Sequence, residues 1–353
     1  MLAEYTIHPV DAALGAAVQT AIDFKTKPPG SLGRIEALAL QMALAQGTRA
    51  PLADPARLFI FAGDHGIVAE GVSAWPQEVT AQMVLNFLAG GAASTVFARA
   101  NGAEVTVVDA GVATALADSP GLVRARIRKG TRNAAVEDAL TADEVGRALA
   151  FGAALAAEAV AGGAKVIALG EMGIGNTSAA TLVAHAVAGI DLGVLTGPGA
   201  GLDAHGVDRK LAVLARAATR RPGPLAPVDA LAAFGGLEIA AMAGALVGAA
   251  SAGAVVLVDG FIATAAALAA LAARPEAKSY CVFAHRSKEP GHVRLLDWLQ
   301  VEPLIDLDLR LGEGTGALLA LPLLRSACAM LNEMATFESA QVSGKNSVSG
   351  RDE

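Results

Sequence analysis

The sequence predicts an α/β fold: a three-layer, Rossmann-like parallel sheet flanked by helices, with a small helical domain drawn from both chain ends. Three observations predict it. Short unbroken runs of Val, Ile, Leu and Phe, each closed by a turn, have the pattern of strands buried on both faces. Long helical patterns stand between those runs, as parallel connections require. Much of the 54% hydrophobic content is Ala, beside 39 Gly, and such small residues let helices pack close to a sheet and let backbone approach a ligand.

The strands are expected at 57–62, 104–108, 165–169, 254–258 and 280–284. They end in Gly63-Asp64-His65-Gly66, Asp109-Ala110-Gly111, Gly170-Glu171-Met172-Gly173, Asp259-Gly260 and His285-Arg286-Ser287. Helices are expected at 77–99, 142–161, 177–188, 208–220, 237–250, 261–273 and 315–334. Asn176, Thr177 and Ser178 are residue types that cap helix starts. The proline-rich stretch 221–227 reads as a rigid loop. Residues 1–50 and 313–338 would together make the small domain, with 51–312 forming the α/β domain. The polar, serine-rich segment 339–353 is expected to fray.

The net charge of -7 argues against nucleic acid or an acidic membrane as the main partner. Cys281 and Cys328 give neither a disulfide framework nor zinc spacing. Cys281, in an apolar run, reads as a reduced core residue of a cytoplasmic protein. The apolar stretches 148–161 and 240–256 are rich in Ala and Gly and interrupted by Glu158 and Ser251, so they read as buried helices rather than membrane spans. The start of the chain lacks the basic-then-apolar pattern of a signal peptide.

Asp64, Asp109, Glu171, Asp259 and His285 all fall at expected strand ends, and open parallel sheets bind ligands outside the carboxyl ends of their strands. Any one of these residues reads equally as a helix cap or a turn residue. Five at equivalent positions point to one site.

Three motifs carry candidate chemistry. Gly170-Glu171-Met172-Gly173-Ile174-Gly175-Asn176-Thr177-Ser178 is a strand-to-helix turn whose glycines and helix N-terminus suit a phosphate. It lacks the dinucleotide fingerprint and a Walker lysine. The bland alternative is a tight packing turn. Thr196-Gly197-Pro198-Gly199-Ala200-Gly201-Leu202-Asp203, followed by Arg209-Lys210, would complete a phosphate site or be a surface loop with solvated cations. Leu309-Arg310-Leu311-Gly312-Glu313-Gly314 sets one carboxylate between glycines, a general base if held near apolar surface and an ordinary loop residue otherwise. Asp306 and Asp308 alternate with apolar residues as on one strand face and read as solvated or salt-bridged. With six scattered histidines, no metal site and no cofactor are expected.

Taken in order, these motifs resemble the nicotinate-nucleotide–dimethylbenzimidazole phosphoribosyltransferase family. The resemblance runs from Lys27-Pro28-Pro29-Gly30-Ser31-Leu32-Gly33 through Gly63-Asp64-His65-Gly66, Glu78-Val79-Thr80, Gly170-Glu171-Met172-Gly173 and Val258-Asp259-Gly260-Phe261 to Arg310-Leu311-Gly312-Glu313-Gly314. It implies transfer of phosphoribose from nicotinate mononucleotide to 5,6-dimethylbenzimidazole, in cobalamin lower-ligand synthesis, by a homodimer without metal. It implies Glu313 as catalytic base and Glu171 as an active-site acid. It also implies Gly173, Ile174, Gly175, Asn176 and Thr177 as the phosphate and ribose turn, Lys210 and Ser287 as nucleotide contacts, Leu311 as base-pocket lining and Asp259 as a strand-end residue near the site. Trp75 and Met83 stand where some members carry a small polar residue and an amide, which adds apolar stacking surface and leaves related benzimidazoles or purines open as the base. Two competing readings are a Rossmann-type oxidoreductase, which the glycine spacing opposes, and a non-catalytic nucleotide- or benzimidazole-binding protein, which would tolerate loss of Glu313.

Overall fold

A computed structural model describes residues 4–125 and 127–343. Its strands are β1 (Ala56–Gly63), β2 (Glu104–Gly111), β3 (Leu122–Arg124), β4 (Val166–Met172), β5 (Val255–Val258) and β6 (Cys281–Phe283). They form one sheet in the order β3-β2-β1-β4-β5-β6, with every neighbouring pair parallel. The strand order reverses between β1 and β4, and such a switch point is where open α/β sheets leave a crevice for ligands. The expected α/β class and all five expected strands are present. β3 was not legible: it is a three-residue, half-buried edge strand, too short to give an apolar run.

The helices are α1 (Ala12–Asp23), α2 (Arg34–Ala45), α3 (Glu78–Leu88), α4 (Ala93–Ala100), α5 (Ala142–Ala161), α6 (Asn176–Ala188), α7 (Leu192–Leu195), α8 (Ala204–Ala218), α9 (Pro227–Phe234), α10 (Leu237–Ser251), α11 (Phe261–Ala273), α12 (Pro290–Leu299) and α13 (Thr315–Glu333). The small residues earn their place where α5 meets α10. A Cβ on Gly152 would lie 1.9 Å from the Ala241 carbonyl oxygen, and one on Gly244 would lie 2.0 Å from that of Leu149. These helices touch backbone to backbone, and α10 in turn covers the sheet.

The single helix expected at 77–99 is two helices, because Ala89-Gly90-Gly91-Ala92 interrupts it and Gly90 turns left-handed at φ 77°. The break aims the start of α4 at the site described below. α9 and α12 were not expected; each begins with proline, which suits the first helical position, and the start of α9 adjoins the stretch 221–227 read as a loop. Residues 306–308 are not a strand as expected. Asp308 has φ 56°, and the two carboxylates face Arg286 and Lys288 at 3.7 and 3.0 Å.

The chain ends meet. α13 packs on α2, Lys25 bridges Thr336, and the Lys25 ammonium donates to the Met334 carbonyl at 2.7 Å. The Lys27 motif is structural here: Lys27 and Glu36 pair at 2.9 Å, both buried, and Glu36 accepts from the N–H groups of Leu32 and Gly30. α13 also packs on α4 and β4, so it is shared with the sheet rather than confined to the chain ends. By length and composition 315–333 and 78–100 would suffice to cross a membrane, but the first is packed between these elements and the second is broken in two. Cys281 and Cys328 are buried and free, and burial pushes both thiols up to about 12. Of the tail, residues 339–343 follow a turn in which Ser339 and Thr336 exchange hydrogen bonds; the expectation for 344–353 lies outside the described residues.

Candidate active site

A cleft of about 490 Å³ opens at the carboxyl ends of β4, β5 and β6. Trp75, Val79 and Met83 form one wall and Arg310, Leu311, Gly312 and Glu313 another; between them lie Glu171 to Ile174, Asn176 and Thr177, Gly199, Gly260, His285, Ser287 and Glu289. A roomier cleft of about 750 Å³ lies elsewhere, around Arg132, Asp138, Arg220 and Arg221. Its arginines are spent on Asp138 and Glu144, so it is volume with paired charge. The smaller cleft gathers the buried, incompletely compensated acids, and it is where the sequence placed its candidates.

Glu313 is held in an unusual backbone. Gly312, Glu313 and Gly314 all have positive φ, at 87°, 62° and 82°. The left-handed region costs a residue with a Cβ on the order of 1–2 kcal/mol. The flanking glycines are required by contact as well as by φ: a Cβ on Gly312 would lie 2.2 Å from a Glu171 carboxylate oxygen, and one on Gly314 would meet Leu58. The Glu313 carboxylate is buried and accepts from the Ser94 hydroxyl at 3.1 Å and the Ser94 N–H at 3.4 Å. Burial lifts its proton affinity above the ordinary carboxylate range. The Ser94 bonds pull the other way, and the charge of Asp259 adds to the rise. A carboxylate with raised proton affinity is suited to accept a proton.

Glu171, on β4, is wholly buried, and its carboxyl is pushed up to about 8, first by burial and then by the nearby charges of Asp259 and Glu238. The Asn176 side-chain amide donates to it. Asn176 therefore does not cap α6 as expected: the cap is left-handed Gly175, with no side-chain bond. Asp259, at the end of β5, stands close behind the cleft. It is absent from the cleft lining, and its carboxylate accepts from the N–H groups of Gly314 at 3.2 Å and Ala317 at 2.9 Å. His285 Nε2 lies 3.5 Å from the same carboxylate. His292 is pushed down to about 3 by burial and by His285. It is thus neutral: its Nδ1 accepts from the Ser287 N–H at 2.8 Å, which leaves Nε2–H to donate to Thr264. That histidine fixes the backbone of Ser287 at the cleft.

The glycine-rich turn after β4 is tightly built. A Cβ on Gly173 would lie 2.3 Å from the Gly63 carbonyl oxygen, and one on Gly175 would meet Val68 at 2.7 Å. The Ile174 N–H donates to the Thr80 hydroxyl at 3.1 Å. Lys210 is not the solvated cation of the bland reading. It is buried behind the cleft wall and donates to the Thr177 hydroxyl at 2.9 Å and the Gly197 carbonyl at 3.1 Å. Burial brings it down to about 8, against the pull of Glu289. Burial likewise raises Glu289, against the pull of Lys210. A bound phosphate would favour the charged lysine. Trp75 is half exposed, and its indole N–H donates to the Ala200 carbonyl at 2.8 Å, so it ties the second glycine-rich loop to the cleft as well as offering a ring face.

The structure thus brings Glu313, Glu171, Trp75, Met83, Gly173, Ile174, Asn176, Thr177, Ser287 and Leu311 to one cleft, and sets Gly175, Lys210 and Asp259 immediately behind it. Ser94 and Glu289 were not singled out as contacts. Ser94 was hidden inside an expected helix, and only the Gly90-Gly91 pair signals the break. Asp64 and Asp109, at the ends of β1 and β2, lie outside the cleft lining. Among the described residues, no group of three His, Cys, Asp or Glu side chains is arranged to hold a metal ion.

A family model described as a phosphoribosyltransferase matches residues 7–342. The chain is 52% identical over 339 residues to the nicotinate-nucleotide–dimethylbenzimidazole phosphoribosyltransferase of Aromatoleum aromaticum, covering 96% of this chain and 98% of that protein. It is 53% identical over 337 residues to the enzyme of the same name from Cupriavidus necator, covering 96% and 97%. The crystal structure of the enzyme of that name from Thermus thermophilus superposes with a TM-score of 0.90 at 44% identity, over 95% of this chain and 100% of that one.

Proposed function

Because the chain belongs to the nicotinate-nucleotide–dimethylbenzimidazole phosphoribosyltransferase family, we propose that its cleft moves the phosphoribosyl group of nicotinate mononucleotide onto 5,6-dimethylbenzimidazole or a closely similar base. The products are α-ribazole 5′-phosphate and nicotinate, the nucleotide being the lower-ligand unit of cobalamin. The observation that carries the mechanism is Glu313: a buried carboxylate with raised proton affinity, presented to the cleft by three consecutive left-handed residues.

In this reading the benzimidazole lies between Trp75, Val79, Met83 and Leu311. One ring nitrogen attacks ribose C1′ while the other releases its proton to Glu313. The C1′–pyridinium bond breaks and its electron pair stays on the departing nitrogen, which leaves as neutral pyridine in nicotinate. Attack opposite the departing ring inverts β to α. The 5′-phosphate sits against the N-terminus of α6, where backbone N–H groups and the helix dipole favour an anion, with Lys210 behind the wall and Ser287 beside it. Glu171, its carboxyl pushed up to about 8, is suited to hydrogen-bonding a ribose hydroxyl. Positive charge growing at C1′ would favour its ionised form. Holding the two rings and the ribose together supplies the rest of the acceleration.

The test is incubation with nicotinate mononucleotide and a panel of benzimidazoles and purines, with products weighed by mass spectrometry and the anomer assigned by NMR. An α-linked product and free nicotinate are expected; a β-linked product, or no transfer to any base, overturns the reading. The same reading makes the protein a cytoplasmic homodimer, and light scattering of the purified chain tests the dimer.

A further inference from the structure

The carboxylate that best explains how Glu313 is held is not in the cleft. Asp259 follows β5, is almost fully buried, and receives backbone N–H groups from Gly314 and Ala317, with Gly316 contributing a third. These belong to the first turn of α13, whose own cap, Gly314, offers no side chain and whose first turn has no acidic residue. Such a helix start has unsatisfied donors and a positive end; here a carboxylate from another strand meets both. His285 faces that carboxylate, seated between Gly260 and Gly316. A Cβ on Gly316 would come within 1.9 Å of the imidazole Cδ2, and one on Gly260 within 3.1 Å of Nε2.

We propose that Asp259 is a positioning residue for Glu313: it grips the backbone of the left-handed turn from behind while Ser94 grips the carboxylate in front. The proposal rests on Glu313 being the base. The flanking glycines and the Thr315 bonds to the Gly312 carbonyl allow the turn, but Glu313 itself carries a Cβ in the left-handed region, and Asp259 holds the backbone that follows it. Asp259 also sets the charge around the base. Facing it are His285 beyond β6, Glu171 on β4 and Glu313 itself; Glu238 of α10 acts on Glu171, and Arg286 and His292 lie beyond His285. The negative charge of Asp259 raises both Glu171 and Glu313.

The test is Asp259→Asn, with Asp259→Ser alongside in case the amide, which turns donors toward the N–H groups of α13, does not fold. kcat is expected to fall about 10–100-fold with KM for nicotinate mononucleotide within about three-fold, as for loss of alignment rather than of binding. The Glu313 carboxyl, followed by carbon-13 NMR of labelled glutamate in the substrate-free protein, is expected to titrate at lower pH than in the wild type, because a neighbouring negative charge has gone. A merely structural brace would lower thermal stability while leaving kcat per folded molecule and the Glu313 titration in place; that result overturns the proposal. Should the wild type turn over no nucleotide, the reaction assigned above fails, and the NMR shift still decides this inference by itself.

Discussion

The fold buries two groups of acids, and they are compensated in opposite ways. Beneath the end of β1, Glu238 meets His65 at 2.5 Å, with both side chains fully buried. Burial alone would push the His65 ring down, but Glu238, with Asp64 adding, more than offsets it and leaves the ring above its ordinary value. Asp64 is tied to the Ala113 N–H at 2.8 Å. At and behind the cleft, Asp259 has a histidine held off at 3.5 Å, while Glu171 and Glu313 rely on Asn176 and Ser94 and Asp259 on backbone N–H groups. An acid with a histidine at hydrogen-bond distance is a paired structural unit. Acids stacked near one another without one keep an appetite for protons, which is the property a base requires.

The sharpest way to break this contrast is Glu313→Gln. The amide preserves shape and the contact with Ser94 but cannot take a proton. kcat is expected to fall by about 10²–10⁴-fold while base binding, measured by fluorescence titration, and thermal stability stay close to wild type. Unchanged turnover would return Glu313 to the status of an ordinary loop residue.

The opposite behaviour is expected at His65. His65→Phe leaves Glu238 buried without its partner, a change that costs on the order of 3–5 kcal/mol, while turnover per folded molecule remains within a few-fold. The folded His65 titrates above its unfolded value of about 6.5. The pair's contribution is therefore complete below that pH and is lost as pH rises through the folded value, so urea unfolding of wild type and variant should converge in the alkaline range. Loss of turnover without loss of stability would show that the two clusters are one.

The sheet was legible because parallel strands buried on both faces announce themselves as unbroken apolar runs, and the turns after them could be read as a site because strand ends converge in this architecture. Glu313 was legible as a carboxylate between glycines. Its anchoring was not. Ser94 comes from a helix start that exists only because Gly90-Gly91 breaks an apparently continuous pattern, and the bonds from α13 to Asp259 span more than fifty residues. Lys210 read more readily as a solvated cation, since spacing says nothing about which face of α8 is buried. The family resemblance named residues, but only the geometry distinguishes those that face the cleft from those that stand behind it.

A smaller effect separates the clusters by pH. Glu171 goes from about 4.5 unfolded to about 8 folded, so the folded state prefers it protonated. Its contribution to stability is fully present below about pH 4.5 and is lost as pH rises through 8, on the order of a few kcal/mol across that window. Glu171→Gln, which is neutral throughout, should flatten the fall in melting temperature between pH 5 and pH 9. A fall as steep as the wild type's would assign the pH dependence to His65 instead.

The last test moves to the wall of the cleft that carries no charge. Met83 is half-buried and lines the cleft beside Val79 and Trp75, where the proposed function seats the base. A thioether offers dispersion but no directional hydrogen bond, so this wall should favour a methylated benzimidazole over a purine, whose ring nitrogens and amino group would lose water without replacement. Met83→Gln restores an amide at that position. The ratio of kcat/KM for dimethylbenzimidazole over adenine is expected to shrink by about 3–10-fold, the scale of roughly one kcal/mol of discrimination, with the acid limb of the pH profile unmoved because no carboxylate has been touched. A ratio that stays fixed would mean that the base is selected at the Leu311 wall. A displaced acid limb would mean that the apolar wall and the acid cluster are coupled.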